Sequence, residues 1–324
     1  MTFTNSKENN AIEIDSEFEN KTQLTIEDTK IEIELLEPQI YDNIAVLPIR
    51  TADSKTDILT VKKGFELGLI SIEECKQSTV NQILVKNNSI NPLILIDGDE
   101  ILGANQNRII NSTTLVSPKS TINISVSCVE QGRWAYKNSF KDSPYIANSK
   151  TRKIKSEARY HNRDAQMEVW DSINELEHRK SFKSATHAMA ESYDKQKKNH
   201  EKYIKEFEKI KGQSGVMIFV NGEFEGMDIF HTPEIYGEYH EKILKSYIID
   251  IEESSKESYN KYDLSTKALE ILEKIENSEI KENETQGIGR SISFSNNIGT
   301  GSALIYNEEI LHIPFLRNSE KTAL

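Results

Sequence analysis

Ile122, Ile124, Val126 and Cys128 alternate with Asn123, Ser125 and Ser127. A period of two puts the apolar set on one face and the polar set on the other, as in a half-buried strand. A register slip of one residue would reverse both faces, so this segment constrains its surroundings more than any other. Other strand signals flank it. Gln82–Lys86 and Leu93–Ile96 are separated by the turn-forming run Asn87-Asn88-Ser89-Ile90-Asn91-Pro92. Ile44–Ile49 is a short apolar run stopped by Pro48, which suits a strand end. Several short strands at this spacing predict a sandwich- or barrel-like sheet in the N-terminal half. Leu59, Phe65, Leu67 and Leu69 surround a short helix that ends at Gly68.

The period then changes. Met167, Trp170, Ile173 and Leu176 recur at helical spacing, and so do Met189, Tyr193, His200, Ile204 and Phe207. Residues 151–211 read as two helices with a break near Lys180–Ser184 and a richly charged, solvated exterior. Val216–Val220, Asn221-Gly222 and Phe224–Ile229 form the strongest hairpin signal, because Asn-Gly supplies the positive φ angles of a tight turn. Pro233 opens a further helix. Another helix runs near Ser265–Ile275, Ser278–Arg290 reads as a loop, and Ser291–Phe294 with Ala303–Phe315 reads as a closing hairpin.

The expected fold is α+β. A strand-rich N-terminal half is followed by a long helical insertion and a smaller mixed α/β C-terminal half. The expected divisions are a mobile acidic arm over 1–28, a β-rich part over 29–150, a charged helical segment over 151–211 and an α+β part over 212–324. Residues 29–324 can form one compact domain. The arm lacks the apolar period needed to repay its ordering entropy, with the addition of one strand to the sheet as the alternative.

Charge and cysteine usage narrow the function classes. Forty Lys and Arg against 52 Asp and Glu give a net charge of −12. That disfavours an extended nucleic acid or an anionic membrane as partner, since phosphate contacts need clustered cations. Cys75 and Cys128 form no CxxC pair or His–Cys cluster, so no zinc site is expected. Cys128 falls on the apolar face of its strand, where a thiol is inert. No apolar stretch approaches the roughly 20 residues of a membrane helix, and the first residues lack a signal-peptide pattern. A cytoplasmic location is the expectation.

Two polar segments carry the residues suited to chemistry. The first is Gly98-Asp99-Glu100-Ile101-Leu102-Gly103-Ala104-Asn105-Gln106-Asn107-Arg108. Asp99, Asn105, Gln106, Asn107 and Arg108 could read sugar hydroxyls, phosphates or a carboxylate, and the small residues let a ligand approach the backbone. A polar turn bonded to itself explains the same residues equally well. No P-loop or dinucleotide fingerprint is present. The second segment, Cys128-Val129-Glu130-Gln131-Gly132-Arg133-Trp134, lies where the alternating strand leaves the sheet. Gln131 and Arg133 offer hydrogen bonds, Arg133 as a planar fork, and Trp134 offers a stacking face. A core Trp beside a structural Arg–carboxylate pair is the plainer alternative. Glu100 and Glu130 are candidate acid–base groups, or ligands for Mg²⁺. Asp228 closes the central hairpin and His312 sits in the last strand. Both are additional candidates whose plainer roles are capping and core packing.

Taken together, the two segments resemble a prokaryotic domain family named for genomic association with ADP-ribosylglycohydrolases and rhodanese-phosphatase proteins. The similarity extends through Val169-Trp170-Asp171, Gly215 to Phe230, Leu244–Tyr247 and Ala303 to His312, over roughly residues 38 to 316. Ala104-Asn105 departs from the family's look, where a second glycine and often a lysine occur. The helical segment is also longer than usual, which offers surface for a protein partner or a second copy of the chain. The resemblance implies a small ligand related to ADP-ribose or NAD. Arg108 and Arg133 would then hold phosphates and Trp134 would stack. Recognition, extending to hydrolytic processing, is the expected function. The alternatives are a non-catalytic sponge that sequesters a nucleotide immune signal such as a cyclic ADP-ribose isomer, and an assembly scaffold using the charged helices.

Overall fold

The computed structural model describes residues 20–52, 54, 56–75, 81–251 and 261–318. In chain order the first strands are β1 (Lys21–Ile26), β2 (Thr29–Leu35), β3 (Gln39–Tyr41), β4 (Ile44–Thr51) and β5 (Leu59–Thr60). Helix α1 (Val61–Glu66) follows, then β6 (Ile70–Glu74), β7 (Gln82–Asn87), β8 (Leu93–Leu95) and β9 (Asp99–Leu102). Next come β10 (Arg108–Ile110), β11 (Thr114–Val116), β12 (Ser120–Cys128) and β13 (Lys141–Ile146). Four helices fill the middle: α2 (Ser149–Tyr160), α3 (Gln166–Arg179), α4 (Met189–Lys195) and α5 (Lys197–Ile204). The chain continues with β14 (Gly215–Val220), β15 (Glu223–Phe230), α6 (Pro233–Ile248) and α7 (Lys261–Glu276). It closes with β16 (Glu279–Asn283), β17 (Arg290–Ser295), β18 (Gly299–Tyr306) and β19 (Glu309–Arg317).

The α+β expectation holds, but the sheets do not divide into N- and C-terminal halves. One sheet runs β1-β2-β4-β14-β15-β19-β18-β17-β16, with β3 also on β4, and so joins both ends of the chain. The seam is β4 against β14, antiparallel, from Gly215↔Ile49 to Val220↔Ile44. Both strands are apolar on both faces, and a strand of that kind belongs in the middle of a covered sheet. Ala45, Leu47, Met217 and Phe219 pack on one side with α7. Ile44, Val46, Val216 and Ile218 pack on the other with α6. A six-stranded sheet, β13-β9-β10-β12-β7-β6, and a three-stranded one, β11-β8-β5, hold the two polar segments. There the apolar face of β12 buries Ile124 and Val126 against Ile83, Val85 and Ile110.

Several local expectations change. β1 and β2 pair over Lys21–Glu34, so residues 21–26 of the expected arm are a strand, while 1–19 lie outside the described residues. Leu24 and Ile26 are the apolar positions that repay that ordering, both buried against the sheet. The segment read as a loop over Ser278–Arg290 contains β16, an edge strand held by its ladder to β17. Apart from the exposed Ile280 its side chains are polar and none is buried, so it carries no alternation to detect. The closing hairpin is a three-stranded meander of β17, β18 and β19. The helical segment is four helices, and the buried stripe of α3 is Val169, Ile173 and Leu176, with Met167 exposed.

The Asn221-Gly222 turn forms as expected, with φ of 51° and 77°. At Gly226 in β15 a Cβ would stand 2.3 Å from the Tyr247 hydroxyl, so only glycine lets α6 lie this close to the strand. Thr232 caps α6 by accepting from the Ile235 amide at 3.3 Å, with Pro233 in its first turn.

Candidate functional site

Strand pairing brings the two polar segments together, with Arg108 of β10 opposite Cys128 of β12. Most of the hydrogen bonds between them are made within the pair. Glu130 Oε2 accepts from Arg133 Nη2 at 2.6 Å and from the Asn107 amide at 3.2 Å; its Oε1 accepts from Thr186 at 3.0 Å. Burial opposes ionisation of Glu130, but the Arg133, Asn107 and Thr186 bonds hold its carboxyl below the usual range. Gln106 donates to the Glu130 carbonyl at 3.0 Å and accepts from Arg108 Nη1 at 2.9 Å.

Arg133 is committed to the loop. Its Nη1 donates to the carbonyls of Ala104 at 2.7 Å and Ala135 at 2.9 Å, and its Nη2 also reaches the Gly103 carbonyl and Asn107 Oδ1, both at 3.2 Å. A guanidinium so engaged staples a loop and has no fork to offer a phosphate without breaking it. Asn105 is tied through its amide to Glu74 at 3.2 Å. Arg108 is fully buried, with Glu74 at 3.5 Å and the Trp134 ring 6.0 Å from its guanidinium. Trp134 is 57% exposed, and Gln131 is exposed beside it.

Asp99 and Glu100, adjacent in β9, join different groups. Asp99 accepts from Lys242 Nζ and the Tyr239 hydroxyl, both at 2.9 Å, and Lys242 also reaches Asp142 at 3.0 Å. Glu100 accepts from Ser143 at 2.6 Å on Oε2, while its buried Oε1 has no hydrogen-bond partner. Burial pushes its carboxyl up to about 8, so it is protonated at neutral pH. Among the described residues no three His, Cys, Asp or Glu side chains gather as a metal site. Burial likewise pushes the Cys128 thiol up to about 11, far from a nucleophile's range.

Asp228 and His312 meet α2 in the core. Arg152 bonds both carboxylate oxygens of Asp228, Nη1 to Oδ2 at 3.0 Å and Nη2 to Oδ1, and all of these side chains are fully buried. His312 Nε2 lies 3.4 Å from the same carboxylate, and its Nδ1 is 2.8 Å from Thr113 Oγ1. Thr113 Oγ1 accepts from the Asp97 amide at 3.1 Å. Burial opposes a charge on Asp228, yet Arg152 holds its carboxyl below the usual range; burial lowers His312, which stays neutral. One turn along α2, Lys155 donates to Asp97 Oδ1 at 3.1 Å and to the Ile110 carbonyl. Arg159 donates to Ser302 at 2.6 Å, with Asp97 Oδ2 4.0 Å away.

The outer end of this helix opens into a cavity of about 510 Å³. Lys155, Arg159 and Arg163 supply its cations, with Arg163 Nη1 paired to Glu168, and Asp164 and Glu284 supply its carboxylates. Asn111, Ser125 and Ser127 form its strand wall, joined by Asn111 Nδ2 to Ser125 Oγ and Ser127 Oγ to Asn111 Oδ1, both 2.8 Å. Gln286 from the loop after β16 bonds the Ser125 amide at 2.7 Å. Gln166 closes the end at the start of α3, bonding the Cys128 amide at 2.8 Å and its carbonyl at 3.0 Å. The polar face of β12 is thus a cleft wall. A family model for the ARG and Rhodanese-Phosphatase-superfamily-associated Protein domain matches residues 32–316. The chain belongs to that family. No curated protein and no solved structure matches it.

The family match spans both polar segments, α2 and every residue of the cleft. None of the residues lining this cleft was among the expected site residues. The available signal was Arg152, Lys155 and Arg159, spaced three and four apart on one helix face. Their charge made that face read as solvated, although Arg152 and Lys155 are buried. The described residues contain no helix long and apolar enough to cross a membrane.

Proposed function

We propose that this protein recognises a small nucleotide of the ADP-ribose or NAD-derived class, and that it does so in the α2 cleft. The observation that carries this reading is the set of Lys155, Arg159 and Arg163, in excess over the carboxylates Asp164 and Glu284, beside a wall of amides and hydroxyls in a chain whose net charge is −12. Phosphates call for guanidinium and ammonium donors, and ribose hydroxyls call for groups that both donate and accept. Arg159 Nη1 donates to the Asn111 carbonyl at 3.4 Å and Nη2 to Ser302 at 2.6 Å, and each of these nitrogens carries a second N–H for a ligand. A family named for association with ADP-ribosylglycohydrolases supports the choice of ligand class.

The chemistry favours binding ahead of turnover. Glu100 and Glu130 are not among the residues lining this cleft, and Glu130 is bonded on both oxygens; of the carboxylates that do line it, Asp164 is tied to the Gln166 amide at 2.8 Å, which leaves Glu284 as the acid–base candidate should turnover be found. The test is thermal denaturation with ADP-ribose and NAD, followed by chromatography of the ligand. A ligand at a hundred times its dissociation constant should stabilise the fold by about 2.7 kcal/mol. Ligand recovered intact supports a binder, and converted ligand supports an enzyme. No shift with either nucleotide, with and without Mg²⁺, removes the proposal and leaves the scaffold reading ahead.

A further inference from the structure

The cleft's lining contains no aromatic side chain among the described residues, and its apolar members are only Val126, Ala158 and Ala165. A nucleobase is recognised by stacking on a ring or an Arg plane, together with hydrogen bonds to its edges. The cations here are poorly placed to replace a ring. Lys155 is locked between Asp97 and the Ile110 carbonyl, and Arg159 is held flat by one arm on Ser302 and the other on the Asn111 carbonyl. The facing wall is richer in other chemistry. Asn111, Ser125 and Ser127 make a ladder of alternating donors and acceptors along the polar face of β12, and Gln286, bonded through its oxygen to the Ser125 amide, adds an amide at one side. Vicinal hydroxyls match such a ladder, because each hydroxyl donates once and accepts twice.

Building on the nucleotide reading, the geometry points to a narrower ligand class: the cleft reads the ribose-phosphate end of its ligand and leaves the base outside. Arg159 and Arg163 take the phosphate, from α2 and the turn after it. The Asn111–Ser125–Ser127 wall takes the sugar. The exposed Trp134 and the 131–139 loop belong to a different part of the surface and do not line the cleft. The recognised unit is a pentose phosphate, so nucleotides that differ only in the base bind alike.

Calorimetric titration of the full chain with ribose 5-phosphate, ADP-ribose, adenosine and inorganic phosphate tests this. Ribose 5-phosphate and ADP-ribose should bind within about tenfold of each other, adenosine should give no heat, and inorganic phosphate should bind at least about tenfold more weakly than ribose 5-phosphate, since one charge-assisted or hydroxyl contact amounts to about that factor. Arg159→Gln should weaken both sugar phosphates by about tenfold or more. Arg163→Gln, at a side chain 38% exposed whose ion-pair partner Glu168 is also exposed, should weaken them in the same direction with little effect on stability. ADP-ribose binding without ribose 5-phosphate, or heat from adenosine, would overturn the inference while leaving the nucleotide reading intact. Inorganic phosphate binding as well as ribose 5-phosphate would also overturn it, as an anion site indifferent to sugar. Ribose 5-phosphate binding without ADP-ribose would keep the pentose phosphate and sink the nucleotide. No heat from any of the four sinks both.

Discussion

Two arginine–carboxylate groups, Arg133 with Glu130 and Arg152 with Asp228, behave in opposite ways. Arg133 and Glu130 sit at the surface end of β12, and nearly every polar atom they carry is bonded to the Gly103–Asn107 loop or to Thr186. Arg152 and Asp228 sit in the core, fully buried, and stabilise the root of a helix whose next turns supply Lys155 and Arg159 to a cleft. The first group is conspicuous in sequence because a self-bonded loop needs many polar residues close together. The second is inconspicuous because its partners come from 76 residues away. Density of polar residues marks local satisfaction at least as often as it marks a site.

The largest expected effect breaks the core group. Arg152→Ala leaves Asp228 buried with only His312 and Tyr247 beside it, and should destabilise the fold by roughly 3–5 kcal/mol, read from the urea midpoint. A loss below 1 kcal/mol would mean water or a shifted side chain replaces the guanidinium, and the two groups would no longer differ in kind. Next, Arg133→Ala should cost about 1–3 kcal/mol in stability, since several loop carbonyls lose a donor. Its affinity for ADP-ribose should stay within about twofold of the parent, against about tenfold for Arg159→Gln. A tenfold loss in Arg133→Ala with folding intact would return the site to the polar segments.

A pH series sharpens the comparison at Glu100. Its carboxyl is raised from 4.5 to about 8 by burial, so between those values the folded protein holds a proton that the unfolded chain releases. The contribution is fully present below about 4.5 and is lost as pH rises through about 8. Glu100→Gln keeps an acceptor for Ser143 and carries no proton to lose. Its stability relative to the parent should therefore rise between pH 5 and pH 9, by at least about 1 kcal/mol, one pKa unit being about 1.4 kcal/mol. A parallel pair of pH profiles would show that Glu100 is solvated.

The smallest effect concerns Ala104, whose φ of +45° is a left-handed conformation that a Cβ disfavours. Ala104→Gly should stabilise by about 0.5–1 kcal/mol, the relief of strain offset by a more flexible unfolded chain. A destabilised variant would show that the Ala104 methyl, buried with the apolar core beside β12, matters more than its backbone.

Local chemistry was legible from residues alone. The alternation of β12, the Asn221-Gly222 turn and the Pro233 start of α6 are all set by interactions within a few positions, whereas β4 runs on through Pro48 to Thr51 because the proline stands in a strand whose neighbours are supplied by the fold. The family resemblance was legible for the same reason, because motifs are local strings. Only the tertiary structure decided which polar residues are open to a ligand. Lys155 on α2, Ser125 on β12 and Gln286 after β16 meet at one cleft across more than 130 residues of chain. Whether a guanidinium is a staple, a core ion or a ligand donor depends on what the rest of the fold places within about 3 Å of it. Periodicity in one segment carries no information about that neighbour.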